Sequence, residues 1–252
     1  MANLLKRAII ATGLVSAGAY ASFRSMEYYY ITDVRGSPWR FHDLPSFWKT
    51  HRVCLEVIKQ NPIYFNYLPD NEKTQPKCNY IVKHNPGVFQ YVVNYKKTQT
   101  MCDDIIKQHP QMLQYVPENM RTDEMYKYCA NHNNSLNNFS GVTLSGKKFN
   151  ELFAGKKFFK LTNEEENHNN YQFKTGLNID KIPFDDQCEC CPGGIYFTEK
   201  SKKSRWTKYG SAVMKYERAV IIPDDAQVHI ENNKVKADRL ILGDRKPLWL
   251  RV

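Results

Sequence analysis

Three cysteines crowd into four positions, Cys188-Glu189-Cys190-Cys191, and thiolates at that density are zinc-ligand chemistry. A tetrahedral structural site wants four nitrogen or sulfur ligands, normally from two separated cysteine pairs. This chain has one triplet. Its neighbours Cys190 and Cys191 reach a common ion poorly, so His168 or His229 would have to arrive by folding. Uncoordinated loop thiols are the competing reading. The next segment, Pro192-Gly193-Gly194-Ile195-Tyr196-Phe197-Thr198, joins two glycines to an aromatic strand. That pattern lets the backbone approach another strand or a ligand closely. Gly193, Gly194, Tyr196 and His168 are therefore the candidate ligand-binding residues, a tight strand entry is the plainer alternative, and no cofactor is expected. The sequence shows no Ser-His-Asp arrangement, phosphate-cradling glycine loop or paired carboxylates. Glu164-Glu165-Glu166 reads as a solvated loop or helix start.

The elements that would position these residues lie in a segment of mixed character, residues 144–252. Short β-branched and aromatic runs recur there: Phe158 to Leu161, Tyr171 to Ile179, Gly194 to Thr198, Ala219 to Ile222, Gln227 to Ile230 and Val235 to Leu242. Asn232-Asn233 marks a tight turn, and Lys200 to Tyr209 reads as a helix carrying basic residues. An α+β domain with a mostly antiparallel sheet is expected.

Residues 42–143 obey a different rule, a period of 24. Cys54, Cys78 and Cys102 fall in register, as do Ile58, Val82 and Ile106, then Pro62, Pro86 and Pro110, then Tyr67, Tyr91 and Tyr115. A Thr (Thr50, Thr74, Thr98, Thr122) opens each unit as a helix cap. The proline stops that helix, because the residue before it is pushed out of the helical region. The unit is two short helices joined by a proline corner. No single copy can bury its own apolar side, so an α-solenoid of stacked copies is expected, with the cysteine, Ile58/Val82/Ile106 and tyrosine columns in its core. The last unit is polar, Asn131 to Ser135, as a terminal copy facing water should be.

The chain of 252 residues carries a formal net charge of +10 and seven cysteines. The charge is compatible with nucleic acid, acidic proteins or anionic lipid, but the basic residues are dispersed, so nucleic acid is the less favoured partner. Single cysteines recurring with a helical period behave as small buried apolar residues, which argues for a reducing compartment. Lys6-Arg7 precede an apolar run over residues 8–23, shorter than the ~20 residues of a full span. Residues 1–24 read as a membrane anchor, as a secretory leader ending near Ala19-Tyr20-Ala21, or as a small-residue buried helix. Under export, Asn133 and Asn138 would be glycosylation acceptors. Residues 25–41 read as a linker.

The stretches Phe159-Lys160-Leu161-Thr162, Glu166-Asn167-His168, Tyr171 to Asn178, Pro192 to Thr198, Ile222 to Val228 and Lys236 to Leu242 together resemble a domain of mimivirus-type giant viruses. There it commonly precedes ankyrin repeats in proteins of unknown function; here the repeats come first. The 24-residue unit likewise resembles a helical repeat of large viruses. These resemblances imply a protein of the host cell or virion, and a host or viral protein as partner. Gly176-Leu177, Gly194 to Phe197 and Ser201 to Ser204 are similar to the central motif of poly-ADP-ribosyltransferase-type domains, with Tyr196 in the stacking place. The strand Phe159 to Thr162 lacks the His of that motif and Val235 to Leu242 lacks the Glu, so an inactive relative is what this likeness implies. The combined expectation is a non-enzymatic interaction protein; a divergent ADP-ribosyltransferase and a basic nucleic-acid or virion-packing protein are the rivals.

Overall fold

The computed structural model describes residues 17–132, 135–168, 171–187, 192–209, 212–232 and 234–248. The chain divides between Ile105 and Ile106 into two compact units.

In the first unit, helices α1 (Ala17–Gly36), α2 (His51–Gln60) and α3 (Gln75–His84) are followed by α4 (Gln99–Gln108), which runs into the second unit. The threonine before α2 and α4 caps as its position requires: Thr50 Oγ1 accepts from Val53 N (3.5 Å) and Thr98 Oγ1 from Met101 N (3.2 Å). Thr74 makes no such bond; α3 has a proline in its first turn instead. Asn61 and Asn85 end their helices in extended backbone, as a following proline demands. Each then enters a six-residue 3₁₀ segment, Pro62–Tyr67 or Pro86–Tyr91, and a single further turn.

The buried columns are Cys54 and Cys78, Val57 and Ile81, Ile58 and Val82, Phe65 and Phe89, and Leu68 and Val92. Cys102 and Ile106 on α4 are buried too. The tyrosine column corrects the expectation drawn from spacing: Tyr67 is 52% exposed and Tyr91 39%, and Tyr115 is only half-buried. A 3₁₀ turn eclipses residues three apart. Phe65 and Leu68 therefore share the inward side, and Tyr67 falls outside it, its ring edge-on to His42 at 4.4 Å.

Residues 25–41 are not a linker. They complete α1 and a 3₁₀ turn, Pro38–Phe41, in which Pro38 and Phe41 precede Pro62 and Phe65 by one period. Phe41 is fully buried, and α1 packs on α2 with Glu27 accepting from Thr50 Oγ1 at 2.7 Å. Most of the apolar run over residues 8–23 lies outside the described residues. Among those described, no helix is long and apolar enough to cross a membrane.

Burial pushes the Cys54 and Cys129 thiols up to about 12, Cys102 to about 11, and Cys78 in the same direction. Thiolate is the nucleophile, so the native column should be inert. Iodoacetamide at pH 8 is expected to label these four positions only after denaturant is added, read by peptide mass spectrometry. Labelling of Cys54 or Cys78 in the native chain within minutes would contradict their placement.

The second unit opens with a 3₁₀ segment, Pro110–Tyr115, and helix α5 (Asp123–Asn131). Thr122 caps α5, and Cys129 Sγ donates to Pro110 O at 3.5 Å. The remainder is α+β. Its strands are β1 (Val142–Ser145), β2 (Phe158–Thr162), β3 (Asn167–His168), β4 (Tyr171–Gln172), β5 (Gly176–Ile179), β6 (Ile195–Glu199), β7 (Lys208–Tyr209), β8 (Ala212–Val213), β9 (Tyr216–Ile221), β10 (Gln227–Glu231), β11 (Lys234–Ala237), β12 (Arg239–Leu242) and β13 (Lys246–Pro247). Helix α6 (Gly146–Leu152) follows β1. The main sheet runs β1-β10-β11-β6-β2-β9-β12-β5, with β13 on β9, and every pairing among the described residues is antiparallel. Lys200–Trp206, expected as a helix, is a 3₁₀ segment.

One face of the sheet is apolar where α6 covers it. Phe149 lies 5.0 Å from Phe158, and Phe158 lies 5.7 Å from Phe197, centroid to centroid. Val142, Val228, Ile230 and Val235 surround them, all buried. Further along the same face of β2 and β9 the core turns ionic. Arg218 Nε and Nη2 donate to the two Glu166 oxygens, both at 2.8 Å, and Nη1 donates to Thr175 Oγ1 and Gly243 O. A bidentate pair with its remaining protons satisfied is the form in which buried charge is tolerated.

Candidate functional site

The join between β2 and β6 is short. They pair only at Phe158↔Glu199 and Phe159↔Thr198, whereas β2 and β9 pair over five residues. Beyond Phe159 the strands part and leave a cleft of about 240 Å³. The sequence candidates Gly193, Gly194, Tyr196 and His168 all border it. Cys188, Cys190 and Cys191 lie outside the described residues, among which no cluster of metal-ligating side chains occurs.

The two glycines are explained by packing. Gly193 has φ +92° and a Cβ there would stand 2.3 Å from Pro183 O; Gly194 has φ +118° and would meet Phe184 and Lys236. Only glycine accepts those dihedrals at that proximity. Asp180 fixes the turn, its carboxylate accepting from Gly194 N (2.7 Å) and Ile182 N (3.1 Å). The close approach anticipated from the double glycine is thus to the 182–185 loop.

Tyr196 belongs to a buried ionic group. Its hydroxyl donates to Glu231 Oε1 at 2.9 Å. Glu231 also holds Lys234 at 3.0 Å and Lys236 at 3.7 Å, with Lys236 wholly buried. Both ammoniums sit over the Tyr196 ring, at 4.2 Å and 5.6 Å from its centroid. That ring is engaged by cations, unlike the stacking platform implied by the ADP-ribosyltransferase likeness. Thr143 Oγ1 donates to Asp186 at 2.6 Å and lies 2.9 Å from His229 Nδ1, so His229 is the donor in that contact. Burial and Lys236 lower the His229 basicity.

The residue that sequence reasoning passed over is Lys160, at the centre of β2. It is 9% exposed, borders the cleft, and has its Nζ 4.7 Å from the Phe173 centroid. Burial pulls its pKa down to about 8, and it in turn depresses the basicity of His168 at the rim, after burial of that ring itself. The signal was available. In a strand with Phe158 and Thr162 inward, period two puts residue 160 inward as well. On β6, Thr198 stands opposite Phe159, and its Oγ1 is buried without a hydrogen-bond partner among the described residues.

The basic cluster beyond β6 is engaged locally: Lys202 Nζ donates to Asn137 at 2.7 Å and Lys203 pairs with Glu217. A nucleic-acid groove gains no support from it.

With this geometry in view, comparison with known proteins is informative about origin. A protein of Acanthamoeba polyphaga mimivirus named for ankyrin repeats, R868, is 30% identical over 112 residues, covering 42% of this chain and 54% of its own length. A second such protein, R229, is 33% identical over 104 residues, 36% of this chain and 34% of its own. The uncharacterised mimivirus protein R869 is 35% identical over 96 residues, which make up 36% of this chain and 67% of R869. This chain belongs to the same family as R869. R869 is a giant-virus protein, and its name assigns no reaction. The chain spans about half of R868 and about a third of R229. The 24-residue period is shorter than the ~33 residues of an ankyrin unit. No established family model matches the chain, and no solved structure matches it.

Proposed function

We propose that the chain is a non-enzymatic interaction protein of a giant virus, its helical repeats stacked as an α-solenoid that docks a host or viral protein. One observation carries this reading: the repeat buries its Cys54/Cys78 and Phe65/Phe89 columns while leaving a tyrosine of each copy, Tyr67 and Tyr91, at the surface. Periodic exposed aromatics supply rigid contact area with a polar tip, the residue type enriched at interface hot spots. Repeat arrays present extended surfaces of this kind. Relatives named for ankyrin repeats fit the same role. Residues 42–143 form the docking array in this reading, and residues 144–252 a separate α+β domain.

The test is affinity capture from infected cells with the full chain, beside a Tyr67→Ala/Tyr91→Ala double variant whose circular dichroism matches the parent. The variant is expected to lose a saturable partner about tenfold or more, since two hot-spot aromatics contribute roughly 2 kcal/mol each. Equal recovery of every partner by both baits would remove the tyrosine face from the account.

A further inference from the structure

The cleft between β2 and β6 contains a positive charge that no described residue answers. The other deeply buried cations of this unit have carboxylates: Arg218 has Glu166, and Lys236 has Glu231. Lys160 is buried too, yet among the described residues it has neither ion pair nor hydrogen bond, only the Phe173 ring. An unpaired ammonium in an apolar setting is costly, and a fold keeps one where something binds it. The diverging strands also leave backbone edges with no strand across the gap: β2 beyond Phe159 and β6 before Thr198. The walls mix apolar Phe159, Leu161, Ile182 and Met214 with polar Asn163, Asn167 and Asp180.

We propose that this cleft binds a small organic anion: an oxyanion head, carboxylate or phosphate, against Lys160 Nζ, and an apolar body along the apolar side chains that line the cleft. The volume of about 240 Å³ is below the ~300–1,000 Å³ of sites for drug-sized ligands, which sets the occupant at metabolite size rather than peptide. The ligand supplies the counter-charge that the described residues do not.

The experiment titrates the full chain with benzoate and with phenyl phosphate, followed by ligand-observed NMR. Inorganic phosphate and benzyl alcohol serve as head-only and body-only controls. At least one ring-bearing anion is expected to bind saturably, about tenfold or more tighter than either control, and the better of the two identifies the head. Lys160→Met should lower that affinity at least about tenfold, and Lys246→Ala on exposed β13 not at all. Failure of both ring anions to saturate, controls that bind equally well, or undiminished affinity in Lys160→Met would each overturn the proposal.

A second arm uses the wild type alone. The charged and titratable groups facing Lys160 are His168 and Tyr171 from the β3–β4 hairpin, the closed Arg218–Glu166 pair beside β9, and Asp180 and Lys234 across the cleft. Burial moves His168 down and Tyr171 up, so both shifts carry those groups away from the range around pH 8 where Lys160 titrates; Lys234 is held by Glu231. Affinity for the ring anion should therefore fall severalfold across that range as Lys160 loses its proton. A flat profile would contradict the assignment.

Discussion

Phe89→Ala is expected to destabilise the first unit by about 3–5 kcal/mol, while Tyr91→Ala, two residues away, costs under about 1 kcal/mol. Phe89 is wholly buried and carries Lys97 over its ring at 4.7 Å; Tyr91 is 39% exposed. Truncating a ring inside a close-packed core removes its transfer energy and leaves a cavity that neighbours fill only partly. Truncating a surface ring does neither. The same contrast should hold one period earlier, between Phe65 and Tyr67, where exposures are 0% and 52%. Urea unfolding monitored by circular dichroism measures both pairs. Equal losses at Phe89 and Tyr91 would mean that the 3₁₀ segment turns a different side inward.

Lys160→Met should make the protein more stable at pH 7, by about 2–3 kcal/mol, and the gain should vanish as the solution becomes alkaline. The sign follows from linkage. The folded-state pKa of about 8 lies below the ordinary lysine value of 10.5, so the unfolded chain binds the proton more tightly. The penalty is fully present below pH 8, where both states are charged, and it fades between pH 8 and 10.5 as the folded state sheds its proton. A displacement of that size amounts to roughly 3 kcal/mol, and the lost contact with Phe173 returns about 0.5–1 kcal/mol of it. Thermal melts of both proteins from pH 7 to 10.5 carry the comparison. A variant less stable than wild type at pH 7 would show that Lys160 is answered by a group within the chain.

The repeat was legible because the cysteine, aliphatic and proline columns agree at one spacing. What the period does not encode is the winding of the segment after each proline. Read as an α-helix, that segment puts Tyr67 and Tyr91 half inside; the observed 3₁₀ winding turns Phe65 and Phe89 inward instead. The earlier copy was missed for a related reason. Pro38, Phe41 and Leu44 stand in register with Pro62, Phe65 and Leu68, but Tyr30 replaces the cysteine that marks the other copies. At the site, Gly193-Gly194 and Tyr196 were found because glycine pairs and aromatic strands are conspicuous. Their roles, packing the 182–185 loop and completing the Glu231 cluster, depend on partners between 8 and 42 residues away, which no local pattern contains. Lys160 looks like an ordinary surface lysine until the strand period is followed through it.

Excising one period tests the account at its base. Deleting residues 74–97 joins Lys73 to Thr98 and so preserves the Lys-Thr junction that opens the first three units. If each copy is a self-consistent module resting on its neighbours, the shortened chain should fold, keep its helical circular dichroism per remaining residue, and melt in a cooperative transition. Removing half a period, residues 74–85, should abolish that transition. A 24-residue deletion that leaves the chain unfolded, or that fares no better than the 12-residue one, would show that the copies are not interchangeable modules.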